Sequence, residues 1–384
     1  MTTAKTVVVI PGDGIGPEIW AATRPVLDAA LQHTSGTTVV WDEWPAGERG
    51  LEESGDPLPR TTLEAIGRHR VALKGPLTTP VGSGFRSINV ALRLHFDLYA
   101  NIRPVRWLPG IATPVRHPER INAVLFRENT EDVYSGYELE PGTPELLALA
   151  AFCRERFRWP IPADAGVGLK PISESASKRL VRAALRFAVR EKRRSVTLVH
   201  KGNIQKFTEG RFRAWGYEVA VEEFADTSRI EAVDVGPDDG RVIVRDLLAD
   251  AFLQEILINP ERIDVIATTN LNGDYMSEAL AAQVGGIGVA PGGNVNEEAG
   301  RGIFEPAHGT APTLAGQDAA NPIALMLSGA MLFDFLGWRD AGDAVRSAVH
   351  DVVDSGVGTP DLGLAEHLGT KAFGDRVTAA VGSA

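Results

Sequence analysis

Cysteine, excess positive charge and long hydrophobic runs are all scarce in this 384-residue chain. The single cysteine, Cys153, excludes a framework of intrachain disulfides and is typical of a reducing compartment, so we predict a cytoplasmic protein. Cys153 lies in an amphipathic helical pattern, which favours a packing role over catalysis. The chain enters an apolar run at residues 6–10 almost at once, and we predict no signal peptide and no membrane partner.

The charge balance is negative, since 39 lysines and arginines face 50 aspartates and glutamates and give a net charge of −11. Proteins that bind nucleic acid or a membrane surface need a basic field, so we expect no nucleic-acid partner. A small acidic substrate is not excluded, because arginines placed close together outweigh the global sign. The hydrophobic content of 44% is ordinary for a soluble globular protein.

The order of apolar runs and helical patterns predicts an α/β fold, and the length favours two domains. Strand-like runs occupy 7–10, 39–41, 71–73, 123–126, 195–199 and 263–267, and residues 177–190 form the clearest amphipathic helix pattern. Residues 138–167 differ, because four prolines surround one helical piece, and this indicates an arm. Residues 285–316 are dense in glycine and proline, as in a binding loop.

One segment carries two acids at helical spacing. An apolar strand at 264–267 is followed by the turn signal Asn272-Gly273 and then by helix formers. If the helix begins near Asp274, Asp274 and Glu278 lie on one face, where their carboxylates could hold one hard cation. The alternative is a solvated helix start, with Asp274 as the cap and Glu278 in the first turn.

The glycines Gly12, Gly14 and Gly16 directly follow the first strand and invite comparison with a dinucleotide-binding turn. The match is poor, because Pro17 and Glu18 replace the region of the third glycine. A tight turn between a strand and a helix explains the glycines equally well.

Four arginines open or follow structural segments among small polar residues: Arg86, Arg93, Arg103 and Arg127. Asn89 and Arg93 are four residues apart and therefore share a helix face. Guanidinium groups bind carboxylates in a bidentate fashion, which suits a polyacid substrate. Each arginine taken singly is explained as well by a surface ion pair.

Further polar candidates follow strands. Lys201 and Asn203 come after the strand at 195–199, where parallel strands place catalytic groups, and Lys201 could relay a proton or be an exposed loop residue. His200 has no partner nearby in the sequence and is interpreted as structural. Tyr134 could donate a proton or simply pack. The glycine-containing loop at 308–316 could approach a nucleotide closely.

Taken together, these motifs resemble those of the isocitrate/isopropylmalate family of β-decarboxylating dehydrogenases, most closely its isocitrate dehydrogenase branch. The similar segments begin at the residues given and read IPGDGIGPE (Ile10), KGPLTTPVG (Lys74), RSINVALR (Arg86), RPVR (Arg103), FRENTEDVY (Phe126), VTLVHKGNIQKFTEG (Val196), NLNGDY (Asn270) and HGTAP (His308). The resemblance covers nearly the whole chain, from residue 7 to about residue 362. It implies a two-domain α/β fold that is not a Rossmann fold. The expected parts are a large cofactor-binding domain (1–98 and 285–384), a small domain (99–131 and 174–284) and a clasp-like dimerisation arm (132–173).

The resemblance also implies a role for each matching residue in a homodimer with shared active sites. Asp274, Glu278 and the other subunit's Asp250 would hold Mg²⁺ or Mn²⁺, and Tyr134 with the other subunit's Lys201 would be the acid/base pair. The expected substrate ligands are Ser87, Asn89, Arg93, Arg103 and Arg127. The expected cofactor ligands are Lys74, Thr78, Asn203, His308, Gly309, Thr310, Ala311, Thr313, Leu314, Asn321 and Asp361. The implied reaction is the metal-dependent oxidative decarboxylation of isocitrate to 2-oxoglutarate and CO₂.

Three departures from the family pattern bear on cofactor and substrate. Glu278 stands where this branch usually has an aspartate, so the metal site must adjust by one methylene. Thr313-Leu314 replaces the lysine-tyrosine pair that suits a 2′-phosphate, and Asp361 lies in a segment similar to NAD-using relatives. We therefore expect NAD to be favoured over NADP. The alternatives are the same reaction on homoisocitrate or a phosphonomethylmalate-type substrate, and a non-catalytic regulatory subunit.

Overall fold

The computed structural model describes residues 5–78, 87–231 and 239–382. Arg86 lies outside the described residues, as does part of the segment that follows Thr78. Within those ranges the strands are β1 (Lys5–Ile10), β2 (Val39–Glu43), β3 (Val71–Lys74), β4 (Ala100–Arg106), β5 (Asn122–Glu128), β6 (Glu138–Leu139), β7 (Val167–Gly168), β8 (Ser195–His200), β9 (Ser228–Ile230), β10 (Val242–Leu248), β11 (Val265–Thr268), β12 (Pro291–Asn296), β13 (Arg301–Pro306), β14 (Val357–Gly358) and β15 (Glu366–His367). All six predicted strands are present, and the predicted α/β class is confirmed.

The helices in the same ranges are α1 (Gly16–Thr34), α2 (Glu48–Ser54), α3 (Arg60–His69), α4 (Ile88–His95), α5 (Pro144–Phe157), α6 (Glu174–Arg190), α7 (Glu209–Glu223), α8 (Ala249–Ile258), α9 (Asn270–Gln283), α10 (Ile323–Phe335), α11 (Arg339–Asp354) and α12 (Thr370–Ala380). Short 3₁₀ turns lie at Pro118–Arg120, Asp132–Ser135, Pro260–Arg262, Ile287–Val289 and Pro360–Leu362. None of these helices combines the length and the apolar composition needed to cross a membrane.

Eleven strands form one sheet in the order β2-β1-β3-β13-β12-β4-β5-β11-β8-β10-β9. The central strands β13, β12, β4 and β5 pair antiparallel with one another, and the flanking strands pair in parallel. The sheet therefore runs without interruption through both of the lobes predicted as the large and small domains. This strand order differs from that of a Rossmann fold.

Both faces of the sheet are covered, and alternate residues along a strand point to opposite faces. On one face Val7 and Val9 of β1 belong to a large apolar cluster that includes residues of α1, α6, α7, α10, α11 and α12. On the other face Val8 and Ile10 pack with residues of α3 and α4. Further along that second face, Leu125 and Ile266 pack with residues of α8 and α9.

The predicted arm has its own small sheet. Its strands β6 and β7 pair only with each other, antiparallel, and α5 lies between them in the sequence. Thr143 caps the start of α5 by accepting a hydrogen bond from the Leu146 backbone N–H at 3.4 Å. Cys153 is buried in α5, as expected for a packing role.

Candidate active site

A row of polar side chains crosses the second face of the sheet on five adjacent strands. The large cluster on the first face contains one residue from each of four of these strands: Leu73, Phe304, Val295 and Phe126. Because alternate residues of a strand point to opposite faces, the residue next to each of these four points to the second face. The polar residues of the row are all buried, and they are Lys74 on β3, Glu305 on β13, Asn294 on β12, Asn101 and Arg103 on β4, and Arg127 on β5. The predicted residues Lys74, Arg103 and Arg127 are therefore brought together by strand order and register.

Glu305 joins the large-lobe part of this row. Its carboxylate lies 2.7 Å from the Lys74 Nζ and 3.3 Å from an Arg93 Nη, and it accepts a hydrogen bond from Asn294 Nδ2 at 2.7 Å. Burial alone would raise the pKa of Glu305, but the charges of Lys74 and Arg93 hold it well below its usual range. Sequence reasoning missed Glu305. The available signal was an acid at the end of an otherwise apolar strand, directly before the HGTAP segment.

Arg127, Asp274 and Tyr134 form the small-lobe part of the site. Arg127 donates from Nε to Asn270 Oδ1 at 2.8 Å and from Nη1 to Asp274 Oδ1, and its guanidinium lies 4.8 Å from the centre of the Tyr134 ring. The Tyr134 hydroxyl donates to Asp274 Oδ2 at 2.6 Å. Burial raises the pKa of Tyr134, and the hydrogen bond to Asp274 raises it further. The phenol therefore keeps its proton at neutral pH.

The helix that carries Asp274 begins earlier than predicted. α9 starts at Asn270, with extended backbone at Thr269, so the expected turn at Asn272-Gly273 lies inside the helix. Gly273 is required for a different reason: a Cβ there would lie 2.6 Å from Arg127 Cγ. Asp274 is consequently not a cap, and that alternative is wrong. Asp274 and Glu278 do share a helix face four residues apart.

Several buried polar atoms in this region find no hydrogen-bond partner among the described residues. They are Arg127 Nη2, Arg93 Nε and Asn89 Oδ1. Asn89 and Arg93 lie on α4, whose N-cap residue is Ser87. A buried donor without a hydrogen-bond partner costs folding free energy unless a ligand accepts its hydrogen bond. The two arginine donors therefore suit a polar, anionic ligand. Among the residues that the structure describes, the four cations of the site, Lys74, Arg93, Arg103 and Arg127, form ion pairs with three carboxylates, those of Glu305, Asp274 and Glu278.

The acids of α9 fit a divalent cation in part. Asp274 is one-third exposed, and Glu278 is about half exposed with its carboxylate 3.8 Å from Arg103 Nη1. Burial would raise the pKa of Asp274, but Arg127, Tyr134 and Arg103 lower it overall, so the carboxylate is ionised and able to bind metal. Among the described residues no third acid, histidine or cysteine joins this pair. A complete metal site therefore needs ligands from the substrate or from a second chain.

Lys201 and Asp250 lie together but apart from that pair. Lys201 Nζ donates to Asp250 Oδ1 at 2.5 Å, and the hydrogen bond from Lys201 lowers the pKa of Asp250. Asp250 lies in the first turn of α8 and is exposed. In the described part of the chain, no hydrogen bond or ion pair connects Lys201 or Asp250 with Tyr134 or Asp274. Lys201 was predicted to act with Tyr134 of another subunit, and Asp250 with Asp274 of another subunit, and these two pairings stay predictions.

The loops around Thr78, Thr310 and Asn321 lie next to the first strand. The Thr78 hydroxyl is 3.4 Å from that of Thr310, and Asn321 Nδ2 donates to Asp361 Oδ2 at 3.0 Å. His308 is largely buried, and burial lowers its pKa. Its Nε2 has no hydrogen-bond partner among the described residues. The remaining predicted cofactor residues are on the surface or half-buried, namely Asn203, Gly309, Ala311, Thr313 and Leu314.

The turn after β1 packs against these loops. A Cβ at Gly12 would lie 2.2 Å from Pro76 O, and one at Gly14 would lie 2.1 Å from Thr310 O. The backbone N–H groups of Asp13 and Ile15 donate to these same two carbonyls at 2.8 and 3.0 Å. Because these amides already have partners, the turn is not a pyrophosphate-binding turn, and the glycines serve close backbone packing.

Comparison with known proteins shows that the chain is similar to isocitrate dehydrogenases. The chain is 50% identical over 95% of its length to an isocitrate dehydrogenase [NADP] from Archaeoglobus fulgidus, of which it covers 89%. It is 46% identical over 96% of its length to an isocitrate dehydrogenase [NADP] from Streptococcus salivarius, of which it covers 93%. The crystal structure of isocitrate dehydrogenase from Methylococcus capsulatus superposes with a TM-score of 0.83 at 36% identity, covering 98% of this chain and 99% of that one.

The names of these relatives contradict our prediction that NAD is favoured, because those at 44–50% identity are NADP enzymes. The isocitrate/isopropylmalate dehydrogenase family profile matches residues 6–377. The chain belongs to the isocitrate/isopropylmalate dehydrogenase family and is an NAD(P)-dependent decarboxylating dehydrogenase.

Proposed function

We propose that this protein oxidises and decarboxylates isocitrate to 2-oxoglutarate and CO₂ while reducing NADP, with Mg²⁺ or Mn²⁺ in the site. The observation that carries the proposal is the buried arginine cluster with unpartnered donors beside Asp274 and Tyr134. The names of the relatives at 44–50% identity support isocitrate as substrate and NADP as cofactor.

Substrate binding rests on the arginines. Arg93, Arg103 and Arg127 come from α4, β4 and β5, so they would contact a polycarboxylate from three directions and fix its orientation. Ser87 and Asn89, at the start of α4, would contact the γ-carboxylate. Because these cations are buried, their attraction for the substrate is screened less than that of surface charges.

Asp274 and Glu278 would hold the divalent cation, which would supply positive charge next to the substrate oxygens, and bound NADP would supply the hydride acceptor. Tyr134 is the proton donor of this chain, because its raised pKa keeps the hydroxyl protonated and Asp274 orients it. That proton would go to the carbon that loses CO₂. The second protomer's Lys201 would accept the proton of the substrate hydroxyl, and the second protomer's Asp250 would complete the metal ligands.

A dimer that shares sites is supported by exposed apolar side chains on the elements that carry Lys201, Asp250 and Asp274. Large side chains are exposed on the loop that follows Lys201 and on α8 and α9: Ile204 at 70%, Phe207 at 83%, Leu257 at 61%, Ile258 at 59% and Tyr275 at 64%. The arm exposes Phe152, Phe157 and Trp159, which stack edge to face and tilted. Extensive exposed apolar surface marks an interface, and a second copy would bury it.

Initial rates test the proposal. Isocitrate, homoisocitrate, isopropylmalate and phosphonomethylmalate are each measured with NADP and NAD, with Mg²⁺ and after treatment with EDTA. We expect the highest kcat/KM for isocitrate with NADP, and no turnover in EDTA. A strong rate on one of the other acids together with none on isocitrate would overturn the substrate assignment. A higher kcat/KM with NAD would overturn the cofactor assignment.

A further inference from the structure

Lys170, Asp132 and Glu209 form a triad of ion pairs in which both acids are fully buried. The Lys170 Nζ contacts Glu209 Oε1 directly and lies 3.6 Å from Asp132 Oδ1, and the side chains of both acids are fully buried. Asp132 has a left-handed backbone, with φ of 71°, and accepts a hydrogen bond from the Leu271 N–H at 3.0 Å. The proposed mechanism uses none of these three residues, although Asp132 is two residues before Tyr134.

Glu209 is the member that reaches the Lys201 loop. Glu209 Oε2 accepts the backbone N–H of Lys201 and, at 2.9 Å, the side-chain amide of Asn272, while Oε1 accepts from Thr269 Oγ1 at 3.2 Å. Lys201 is the first residue after β8, so its N–H needs a partner other than a neighbouring strand. A fully buried carboxylate supplies that partner, and Lys170 compensates its charge.

The next peptide group is fixed in the same way. The Gly202 N–H donates to His200 Nδ1 at 2.9 Å, and His200 Nε2 lies 3.0 Å from Asp246 Oδ2. With Nδ1 as acceptor, His200 Nε2 carries the proton and donates to Asp246. Two consecutive amides are therefore held by buried side chains, and the position of the Lys201 Cα is defined even though its ammonium is partly exposed.

From this geometry we propose that Glu209 is a positioning residue for Lys201, held in place by Lys170, and that it acts on the active site of the other protomer. This inference rests on the proposed function, in which Lys201 serves the second protomer's site. The carboxylate is specifically required. A glutamine at 209 offers one oxygen, so it can serve either the Lys201 N–H or the Lys170 ammonium, and its amide N–H₂ would oppose the other donor.

Steady-state kinetics of the holoenzyme give the first test. For Glu209→Gln we expect kcat to fall about 10- to 100-fold, because small displacements of a proton-transfer group are costly, while both KM values change less than about twofold. The double variant Lys170→Gln/Glu209→Gln restores a donor for each acceptor without charge and should recover part of kcat. Arg346→Gln is the matched control, since Arg346 makes a bidentate ion pair with Asp334 at 2.9 Å away from the site, and it should retain kcat.

Mixed dimers with two purification tags decide which site Glu209 serves. A Glu209→Gln chain paired with a Tyr134→Phe chain contains one site with intact Tyr134 and a Lys201 supported by Glu209, so about half of the wild-type activity is expected. A Glu209→Gln chain paired with a Lys201→Met chain contains no such site and should be nearly inactive. The reverse pattern, with activity only in the second pair, would show that Glu209 acts on its own protomer's Asp274 helix and would overturn the inference.

The reference pair separates this inference from the proposed function. A Tyr134→Phe chain with a Lys201→Met chain regains activity only if protomers share sites, so an inactive reference pair contradicts the proposed shared site. With an active reference pair, equal activities in the two Glu209→Gln dimers would contradict the positioning role alone. A Glu209→Gln homodimer with wild-type kcat would do the same. Circular dichroism and thermal unfolding of each variant establish that every dimer is folded.

Discussion

Arg127 shows at the residue scale why this site suits an anion. The fold buries its guanidinium almost completely, and this burial together with the charge of the neighbouring Arg93 lowers the pKa of Arg127 to about 10. One nitrogen is used by Asn270 and another by Asp274, which leaves Nη2 without a partner among the described residues. A lysine cannot replace these contacts, because its ammonium is a single point charge and cannot donate in three fixed directions as the planar guanidinium does.

Arg127→Lys should therefore raise the KM for isocitrate about 10- to 100-fold, since a charge-assisted hydrogen bond from Nη2 to a substrate carboxylate contributes roughly 1.5–3 kcal/mol. kcat should fall as well, because Asp274 loses the contact that orients it. Steady-state kinetics measure both constants. Arg106→Lys, an exposed arginine at the end of β4, is the control and should leave KM unchanged. A KM for the Arg127 variant within twofold of wild type would remove Arg127 from the substrate site.

The lowered pKa of Asp246 predicts how the free energy of unfolding depends on pH. Burial would raise the pKa of Asp246, but His200, Tyr217 and Arg213 lower it to about 2. A depressed pKa contributes stability above the ordinary pKa of about 4, and this contribution is lost as the pH falls toward 2. The shift corresponds to at most about 2.5 kcal/mol, and solvent screening of this group, whose side chain is 23% exposed, reduces it to about 1 kcal/mol.

Asp246→Asn should consequently be less stable than wild type at pH 7, and the difference between the two proteins should shrink between pH 4 and pH 2. Urea unfolding at a series of pH values, at fixed protein concentration, measures the free energy of unfolding of each. Asp340→Asn, at an exposed aspartate in the first turn of α11, is the control. If the difference between wild type and Asp246→Asn stays constant from pH 7 to pH 2, the negative charge of Asp246 does not stabilise the fold.

At the scale of elements, the buried strands were predictable because apolar runs continue through them, as expected for strands covered on both faces. The start of α9 was not predictable, because Asn272-Gly273 has the composition of a turn. The glycine is present inside the helix because a side chain there would collide with Arg127. Arg93, Arg103 and Arg127 were predicted from the sequence. Glu305 and Glu209 were missed, because the position of a single acid in the sequence does not show which cations it will face in the fold. The cofactor prediction failed for a similar reason: Thr313 and Leu314 are two positions, and affinity for a 2′-phosphate depends on every group of the pocket.

The exposed aromatic side chains of the arm lead to a prediction about the dissociation constant of the proposed dimer. Phe152→Ser/Trp159→Ser removes two large side chains from a surface that the proposed dimer would bury, and each contributes about 2 kcal/mol, so the dimer Kd should rise about 100-fold or more. Activity at low protein concentration should fall in parallel, because Lys201 would come from the other protomer. Analytical ultracentrifugation and kinetics over a dilution series measure both. Val221→Ser on α7 removes an equally exposed apolar side chain and should change neither; a dimer unaffected by the arm substitutions would place the interface elsewhere.

On the scale of the whole molecule, the regions predicted as the large and small domains, called the large and small lobes, are joined by one sheet and one apolar cluster. One sheet of eleven strands passes through both, and a single apolar cluster contains Phe373 of α12, in the large lobe, together with Phe212 of α7, in the small lobe. The chain carries a net charge of −11, yet the polar row at the centre of the sheet is rich in cations. The strands that carry this row, β3, β13, β12, β4 and β5, are also those that connect the lobes, so the site's geometry depends on both.

Unfolding should therefore be one cooperative transition for the whole protomer. Phe212→Ala and Phe373→Ala each leave a cavity that costs about 3–5 kcal/mol, and each should lower the midpoint of the same transition. Urea unfolding followed by circular dichroism and by tryptophan fluorescence gives the midpoints at fixed protein concentration. Hydrogen exchange near the midpoint reports separately on peptides from β1 and β8. If Phe212→Ala exposes β8 to exchange at urea concentrations where β1 stays protected, the lobes unfold independently and the continuous sheet does not couple them.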